Sequence, residues 1–267
     1  MFPRPALALA ALLLAGCAPA PASPTAPAEP ELVASSDDAV TLLAPAALDT
    51  PARQVWTRRI RTAVDTLAQT DLGPLDDGWD GRLVVELPDT ARAYARLAGE
   101  GAEAAAAVTR CPADGSRITV NPVVDAAEPA YLASLLLHEA VHVATGSSCS
   151  VGAPQWVEEG LAEWVAAEHS GESLAANQAW VEQYLELHGI PEVLPTDADF
   201  SGDPDTVSAA YGLAGLAVAA AIDGLGHDAA MEFFGAAFDG RGDDATTAAV
   251  TGWYRAELAG LSASARR

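Results

Sequence analysis

The first half of the chain carries short apolar runs between turn residues, a pattern that predicts β-strands. One run is 83–87, which lies between a Gly and a Pro. Two more lie at 104–109 and 117–121, on either side of a Pro-Ala-Asp-Gly turn. Between residues 50 and 67, apolar positions recur at the helical period after a Thr-Pro pair, which is typical of a helix start. The N-terminal half therefore mixes helix with short strands.

From Glu128 onward the apolar positions follow the helical period almost throughout. Clusters of Gly, Pro or Asp separate most of the predicted helices. These helices lie near residues 129–145, 154–169, 173–188, 206–224, 227–238 and 244–260. We therefore predict an α+β fold, in which a small mixed sheet in the N-terminal half packs on a mainly helical C-terminal half.

The first residues resemble the leader of an exported lipoprotein. One Arg precedes an apolar run at 6–15, which is shorter than the roughly 20 residues that span a bilayer. The run ends in the sequence Leu-Ala-Gly-Cys, whose last residue is Cys17. This resembles a bacterial lipobox, in which the Cys is lipidated and becomes the mature N-terminus. We predict a signal peptide at 1–16 and lipidation of Cys17. An ordinary signal peptide, cleaved later, is the alternative.

Low-complexity sequence follows the leader. Residues 18–30 consist mainly of Ala and Pro, a composition that favours an extended spacer. The segment 31–49 shows no clear pattern. We predict that 17–49 is a lipid-anchored linker and that 50–267 is the folded domain, held outside the cytoplasm on the cell membrane.

Two Cys remain after Cys17, and they are Cys111 and Cys149. An even pair in an oxidising compartment predicts a disulfide, and two buried free thiols are the alternative. The chain contains no Cys-x-x-Cys spacing, so the sequence does not predict a thiolate metal site.

The charge balance is strongly acidic. The chain has 14 basic residues, all Arg, against 37 acidic ones, which gives a net charge of −23. It lacks the basic stripe that nucleic-acid binding needs, so we expect no nucleic-acid partner. The charge favours solubility and biases binding mildly toward cationic or neutral substrates.

The candidate chemistry begins with a His-Glu-x-x-His motif in an apolar helical segment. Residues four apart lie on one face of a helix, so His138 and His142 can direct both imidazoles at one point. Zinc accepts neutral imidazole nitrogen, and Glu139 can reach a metal-bound water as a general base. The alternative is a pair of satisfied core His, but burying two His and a Glu without a partner would be costly. The motif therefore predicts a Zn²⁺ site.

A second motif, Pro-Gln-Trp-Val-Glu-Glu-Gly-Leu-Ala-Glu-Trp, begins twelve residues after His142. Together the two motifs resemble the gluzincin metallopeptidases, specifically the peptidase-MA-like group, whose second motif reads roughly P-x-W-x-x-E-G-x-A-E. The resemblance covers about residues 117–225 and implies a zincin-like fold. It also implies that the Glu before Gly, here Glu159, is the third zinc ligand. Glu158 is the rival, but it points about 100° away on a helix, so only one of the two can face the metal.

The resemblance assigns further roles. In the thermolysin-like branch an acidic residue one turn beyond the third ligand hydrogen-bonds the first zinc-binding His, which implies that Glu163 orients His138. Tyr211 is the candidate donor to the oxyanion, with His227 as its substitute, while simple packing at a helix start is an equal alternative for Tyr211. The segment 117–122 resembles the family's edge strand, against which an extended substrate pairs.

These motifs predict a zinc-dependent metallopeptidase, anchored to the membrane through its lipid, that hydrolyses peptide or protein substrates. Glu139 would accept a proton from zinc-bound water as that water attacks the peptide carbonyl. The alternative is a catalytically inactive zinc-binding lipoprotein with a structural or partner-binding role. A solute-binding lipoprotein would need two similar α/β lobes, and the long helical C-terminal half argues against it.

Overall fold

The computed structural model describes residues 31–99, 101–149, 152–170 and 172–265. The predicted signal peptide, Cys17 and the Ala/Pro-rich segment lie outside them. Within the described residues the strands are β1 (Leu32–Ser36), β2 (Val40–Pro45), β3 (Leu83–Glu86), β4 (Ala107–Arg110) and β5 (Arg117–Val120). The helices are α1 (Thr50–Leu67), α2 (Ala91–Ala98), α3 (Pro129–Thr145), α4 (Gln155–Ser170), α5 (Glu172–His188), α6 (Pro204–Leu225), α7 (His227–Phe238) and α8 (Asp244–Ala265). The fold is mixed α+β, as predicted.

The five strands form one mixed sheet in the order β1-β2-β3-β5-β4. β1 and β2 are antiparallel neighbours. β2, β3 and β5 run parallel to one another, and α1 provides the crossover between β2 and β3. β4 pairs antiparallel with β5 and ends the sheet. The prediction that the segment around β5 is the edge strand is therefore wrong, because β5 lies between β3 and β4.

The folded domain begins earlier than the predicted boundary at residue 50. β1 and β2 belong to the sheet, so the assignment of 31–49 to a linker is wrong. Val40, Leu42 and Ala44 of β2 are buried at alternate positions, as expected of a strand with one face on a core. β1 is mostly exposed and is held by its pairing with β2.

Helices α1 and α3 pack against each other and against the sheet. Their buried apolar side chains, with those of the inner strands, form the core between these layers. The side chain of Asp49 accepts a hydrogen bond from the backbone N–H of Ala52 and caps α1, and Pro51 occupies the first turn. The capping residue is therefore Asp49, one position before the predicted Thr50.

Helix α6 is the central element of the helical half and packs against α4, α5, α7 and α8. By length and composition alone, α6 is long and apolar enough to cross a membrane. Half of its most apolar stretch is buried inside the domain, as in the core helix of a folded protein. Its buried residues are mainly small, among them Ala210, Ala214 and Ala217. Small side chains allow α4 to approach α6 closely, and α4 carries the second motif.

Candidate metal centre

The His-Glu-x-x-His motif lies in the buried C-terminal part of α3. His138 and His142 are one turn apart, and their Nε2 atoms are 3.2 Å from each other. Both residues are buried, as is Glu139 between them. The structure thus directs both imidazoles at one point, the arrangement that the spacing predicted.

Glu159 of α4 completes the cluster. Its Oε2 atom lies 3.2 Å from Nε2 of His138 and 3.3 Å from Nε2 of His142. Donor atoms about 2.0–2.1 Å from one tetrahedral zinc ion lie about 3.3–3.4 Å from each other, so the three separations match one face of that tetrahedron. His138, His142 and Glu159 form a group that could hold a metal ion. The structure places Glu159 in this group, and its rival Glu158 is not part of it.

A second set of contacts orients the two imidazoles. Oε1 of Glu163 lies 3.1 Å from Nδ1 of His138, the contact that the resemblance implied. Oγ of Ser147 lies 2.9 Å from Nδ1 of His142, and Ser147 is 2% exposed. A partner at Nδ1 fixes the ring so that Nε2 faces the site. Sequence reasoning missed Ser147, since a Ser five residues after a His carries no motif.

Buried charges around the cluster perturb one another. Burial lowers the pKa of His138, but the adjacent carboxylates of Glu159 and Glu163 outweigh it and hold that pKa well above its ordinary value. Burial raises the pKa of Glu159, but His142 and His138 outweigh it and hold that pKa well below its usual range. Glu159 is therefore a carboxylate at neutral pH, the form that binds a cation.

Glu139 faces the sheet edge and is held there. The hydroxyl of Thr109, on β4, lies 2.6 Å from Oε2 of Glu139 and 3.1 Å from the Glu139 carbonyl oxygen. The hydroxyl is the only donor of this pair, so it donates to the carboxylate. The edge strand therefore contacts the side chain of the predicted general base. The sequence did not predict this contact, which joins residues 30 positions apart.

Two tyrosines lie near the cluster. The ring of Tyr211, on α6, is 6.0 Å from that of His138 and packs edge-on against Phe200 at 5.4 Å. Burial and the charges of Glu159, Glu139 and Glu163 raise the pKa of Tyr211, so its phenol keeps its proton.

Tyr131 is 46% exposed on α3, two turns before His138. Burial and the charges of Glu163 and Glu139 also raise its pKa. Tyr131 was not a sequence candidate.

The other three His and the two Trp of the second motif contact residues outside the cluster. His169 bonds to Thr70, His188 packs against Tyr184 and His227 packs against Trp164. His227, the substitute for Tyr211, is thus engaged by Trp164 of α4. Trp156, near the start of α4, is buried against Phe233 and Phe234 of α7.

Helix α4 is held at its start and along one face. The backbone N–H of Gln155 donates to Oδ1 of Asp197 at 3.0 Å, so a residue outside the helix caps it. Further along, Gly160 abuts α6: a Cβ there would lie 2.5 Å from the carbonyl oxygen of Ala214. A Cβ on Gly215 of α6 would in turn lie 3.2 Å from Cβ of Glu163. Gly160 and Gly215 thus let α4 pack directly on α6.

Gly160→Ala is expected to destabilise the domain and disturb the cluster. The methyl group has no space against Ala214 and Val218, so α4 must shift, and Glu159 is the adjacent residue. We expect a loss of about 2 kcal/mol in the free energy of unfolding and a fall of about 10-fold in metal affinity, measured by urea unfolding and chelator competition. The matched control is Gly252→Ala in α8, where a Cβ meets nothing within 4 Å. There we expect a gain of about 0.5–1 kcal/mol. Equal effects of both substitutions would contradict this account.

Cys111 and Cys149 form a disulfide, the pairing that the sequence predicted. Cys111 directly follows β4, and Cys149 ends the short 3₁₀ turn Ser147–Cys149 after α3. Gly146, with φ of 66°, ends α3 in the left-handed conformation and turns the chain into that segment.

Comparisons of the chain with protein-family models, with curated proteins and with solved structures gave no match.

Proposed function

We propose that the protein is a zinc-dependent peptidase, exported and anchored to the cell membrane through a lipid on Cys17. The observation that carries the proposal is the convergence of Nε2 of His138, Nε2 of His142 and Oε2 of Glu159, with separations of 3.2–3.3 Å. The resemblance of both motifs to gluzincin metallopeptidases supports the same reading. Two imidazoles and one carboxylate are a donor set of catalytic zinc sites, which keep a further position for water.

Zinc held by these residues would lower the pKa of a bound water toward about 7 and polarise the substrate carbonyl. Glu139 would accept the proton of that water and pass it to the leaving amine. Its Oε2 atom is engaged by Thr109, and Oε1 has no hydrogen-bond partner among the described residues. Oε1 is therefore the oxygen that we assign to proton transfer.

Tyr211 supports the proposal as a hydrogen-bond donor. Its ring lies beside that of His138, and its raised pKa keeps the phenol protonated. A protonated phenol can donate to an oxygen that gains negative charge during the reaction. Of the two candidates from the sequence, Tyr211 is favoured, because its ring lies 6.0 Å from that of His138, whereas the ring of His227 packs against Trp164.

An extended peptide is the substrate class that the sheet edge favours. Asn121 N–H donates to the carbonyl of Ala106, and the β4–β5 register continues from that pair. In an antiparallel pair the hydrogen-bonded positions alternate, so the backbone groups of Ala107 and Thr109 point away from β5. They are placed to pair with a substrate strand beside Glu139. The acidic charge of −23 biases the choice toward neutral or cationic peptides.

The proposal is tested by removing the metal. Purified protein should contain about one zinc ion per chain and should cleave members of an unbiased peptide library, with the products identified by mass spectrometry. Dialysis against a chelator should abolish cleavage, and adding one equivalent of Zn²⁺ should restore it. Mg²⁺, which binds oxygen ligands instead, is the control and should not restore it.

Two results would overturn the proposal in different ways. Absence of zinc at neutral pH, with no uptake from solution, would remove the metal site. One bound zinc without cleavage of any peptide would favour the non-catalytic alternative, a zinc-binding lipoprotein with a structural or partner-binding role.

Cys17→Ser tests the anchor separately. Without the Cys no lipid can be attached, so the protein should move from the membrane fraction to the soluble fraction when expressed in a bacterial host. Metal content and peptide cleavage should not change. Continued attachment to membranes would refute the lipid anchor and leave the peptidase proposal standing.

A further inference from the structure

The disulfide lies next to both residues whose hydroxyls hold the His-Glu-x-x-His motif. Thr109, which contacts Glu139, is two residues before Cys111. Ser147, which contacts His142, is two residues before Cys149. The two half-cystines are 38 residues apart in the chain. One covalent bond therefore joins the two segments that position the candidate base and the second candidate ligand.

Both segments are short, and each also packs against α3. β4 is an edge strand with β5 as its partner in the sheet, and the segment Ser147–Cys149 is a three-residue 3₁₀ turn. Short 3₁₀ turns have poor hydrogen-bond geometry, and sheet edges open more readily than central strands. The two segments also contact each other. A cross-link between them limits the motion of both.

We propose that the Cys111–Cys149 disulfide acts as a positioning device for the metal centre, through Ser147 on His142 and through Thr109 on Glu139. The inference rests on the proposed function, and it adds that an intact disulfide is required for full zinc affinity and turnover. Ser147 holds the His142 ring so that Nε2 faces the cluster. Thr109 holds one carboxylate oxygen of Glu139 and leaves the other to exchange protons. Both are positioning residues that act through a neighbour.

The two hydroxyls have separable effects. Ser147→Ala should lower zinc affinity by about 10-fold, measured by competition with a chromogenic chelator. Thr109→Val, which removes the hydroxyl at nearly constant volume, should leave zinc affinity unchanged and lower kcat by about 10-fold with little change in KM. Thr109→Ser keeps the hydroxyl and should restore most of kcat. A purely structural role of Thr109 would not give this split or this rescue.

The disulfide is tested by the double variant Cys111→Ser/Cys149→Ser. At a temperature where circular dichroism shows a native fold, its zinc affinity should fall by about 10–100-fold. A double-mutant cycle separates positioning from general stabilisation. If the disulfide acts through Ser147, adding Ser147→Ala to the double variant should lower zinc affinity by less than twofold more. A folded double variant with the zinc affinity of the parent, or fully additive losses, would overturn the proposal.

Chemical reduction of the disulfide is an alternative to the double variant. If the double variant does not fold, the oxidised parent can be reduced with a phosphine under native conditions, which yields two thiols and the phosphine oxide. Zinc affinity is then compared before and after reduction, and no change would count against the proposal. If the parent binds zinc but cleaves nothing, the proposed function and the Thr109 assignment fail together. The zinc measurements still decide the roles of Ser147 and the disulfide.

Discussion

Glu139→Gln should lower kcat for peptide hydrolysis by about 10³-fold while zinc stays bound. The amide has nearly the shape of the carboxylate, so it can still receive the hydrogen bond of Thr109, but it cannot accept a proton from water. His138, His142 and Glu159 are untouched, and zinc content should remain that of the parent. Turnover with a peptide found in the library screen and zinc measured by elemental analysis check the two halves of this expectation.

Glu168→Gln is the control for that substitution. Glu168 is exposed on α4, and the same loss of one negative charge there should leave turnover within about twofold. Retained hydrolysis in the Glu139 variant would mean that another group takes the proton. Loss of zinc together with hydrolysis would mean that Glu139 supports the metal itself, although it is not part of the group that could hold the ion.

Glu159→Gln should lower zinc affinity strongly, whereas its matched control Glu158→Gln should not. Glu159 supplies the oxygen that lies 3.2–3.3 Å from both imidazole nitrogens. A neutral amide is a much poorer zinc ligand than a carboxylate, so zinc affinity should fall by at least about 100-fold, more than loss of an outer contact costs. Peptide hydrolysis should fall with it at limiting zinc.

The Glu158 variant is closely matched, since it removes the same charge from the neighbouring residue of the same helix. Its side chain points about 100° away from the Glu159 direction, and we expect zinc affinity within about twofold of the parent. Isothermal titration with Zn²⁺ measures both constants. Equal losses of zinc affinity in the two variants would indicate a general effect of negative charge on cation binding. Such a result would contradict coordination of the metal by Glu159.

The sequence predicted those parts of the candidate site that depend on the spacing of residues along a helix. His138 and His142 share a face because they are four residues apart, whatever the rest of the fold does. By the same rule Glu163 lies on the face of Glu159, while its contact with His138 was implied by the resemblance. The choice of Glu159 over Glu158 needed the resemblance, because periodicity alone shows that they diverge and not which one faces α3.

Two contacts of the motif could not be predicted from the sequence, one between distant segments and one across a turn. Thr109 reaches Glu139 through the position of β4 beside α3, and Ser147 reaches His142 because Gly146 turns the chain back. Both are single hydroxyls in segments without periodic signal. The placement of β4 at the edge likewise depends on strand order, which requires long-range pairing that local patterns do not encode.

The start of the domain was misplaced for a related reason. β1 has only five residues, mostly exposed, and its sequence Leu-Val-Ala-Ser-Ser shows no alternation of apolar and polar positions. β1 is a strand because its backbone pairs with that of β2. β2 in turn is held in place by the buried side chains of Val40 and Leu42. The helices of the second half were predicted within a few residues, since their apolar faces repeat over many turns.

The strand order also determines the direction from which the domain can be tethered. The chain enters the sheet at β1, while the candidate substrate edge is β4, and four strand spacings, roughly 19 Å, separate the two margins. Any attachment that reaches the domain through the residues before β1 therefore pulls on the margin remote from the substrate edge. Large substrates can then approach β4 without passing the tether. An affinity tag placed before β1 should therefore leave cleavage unchanged.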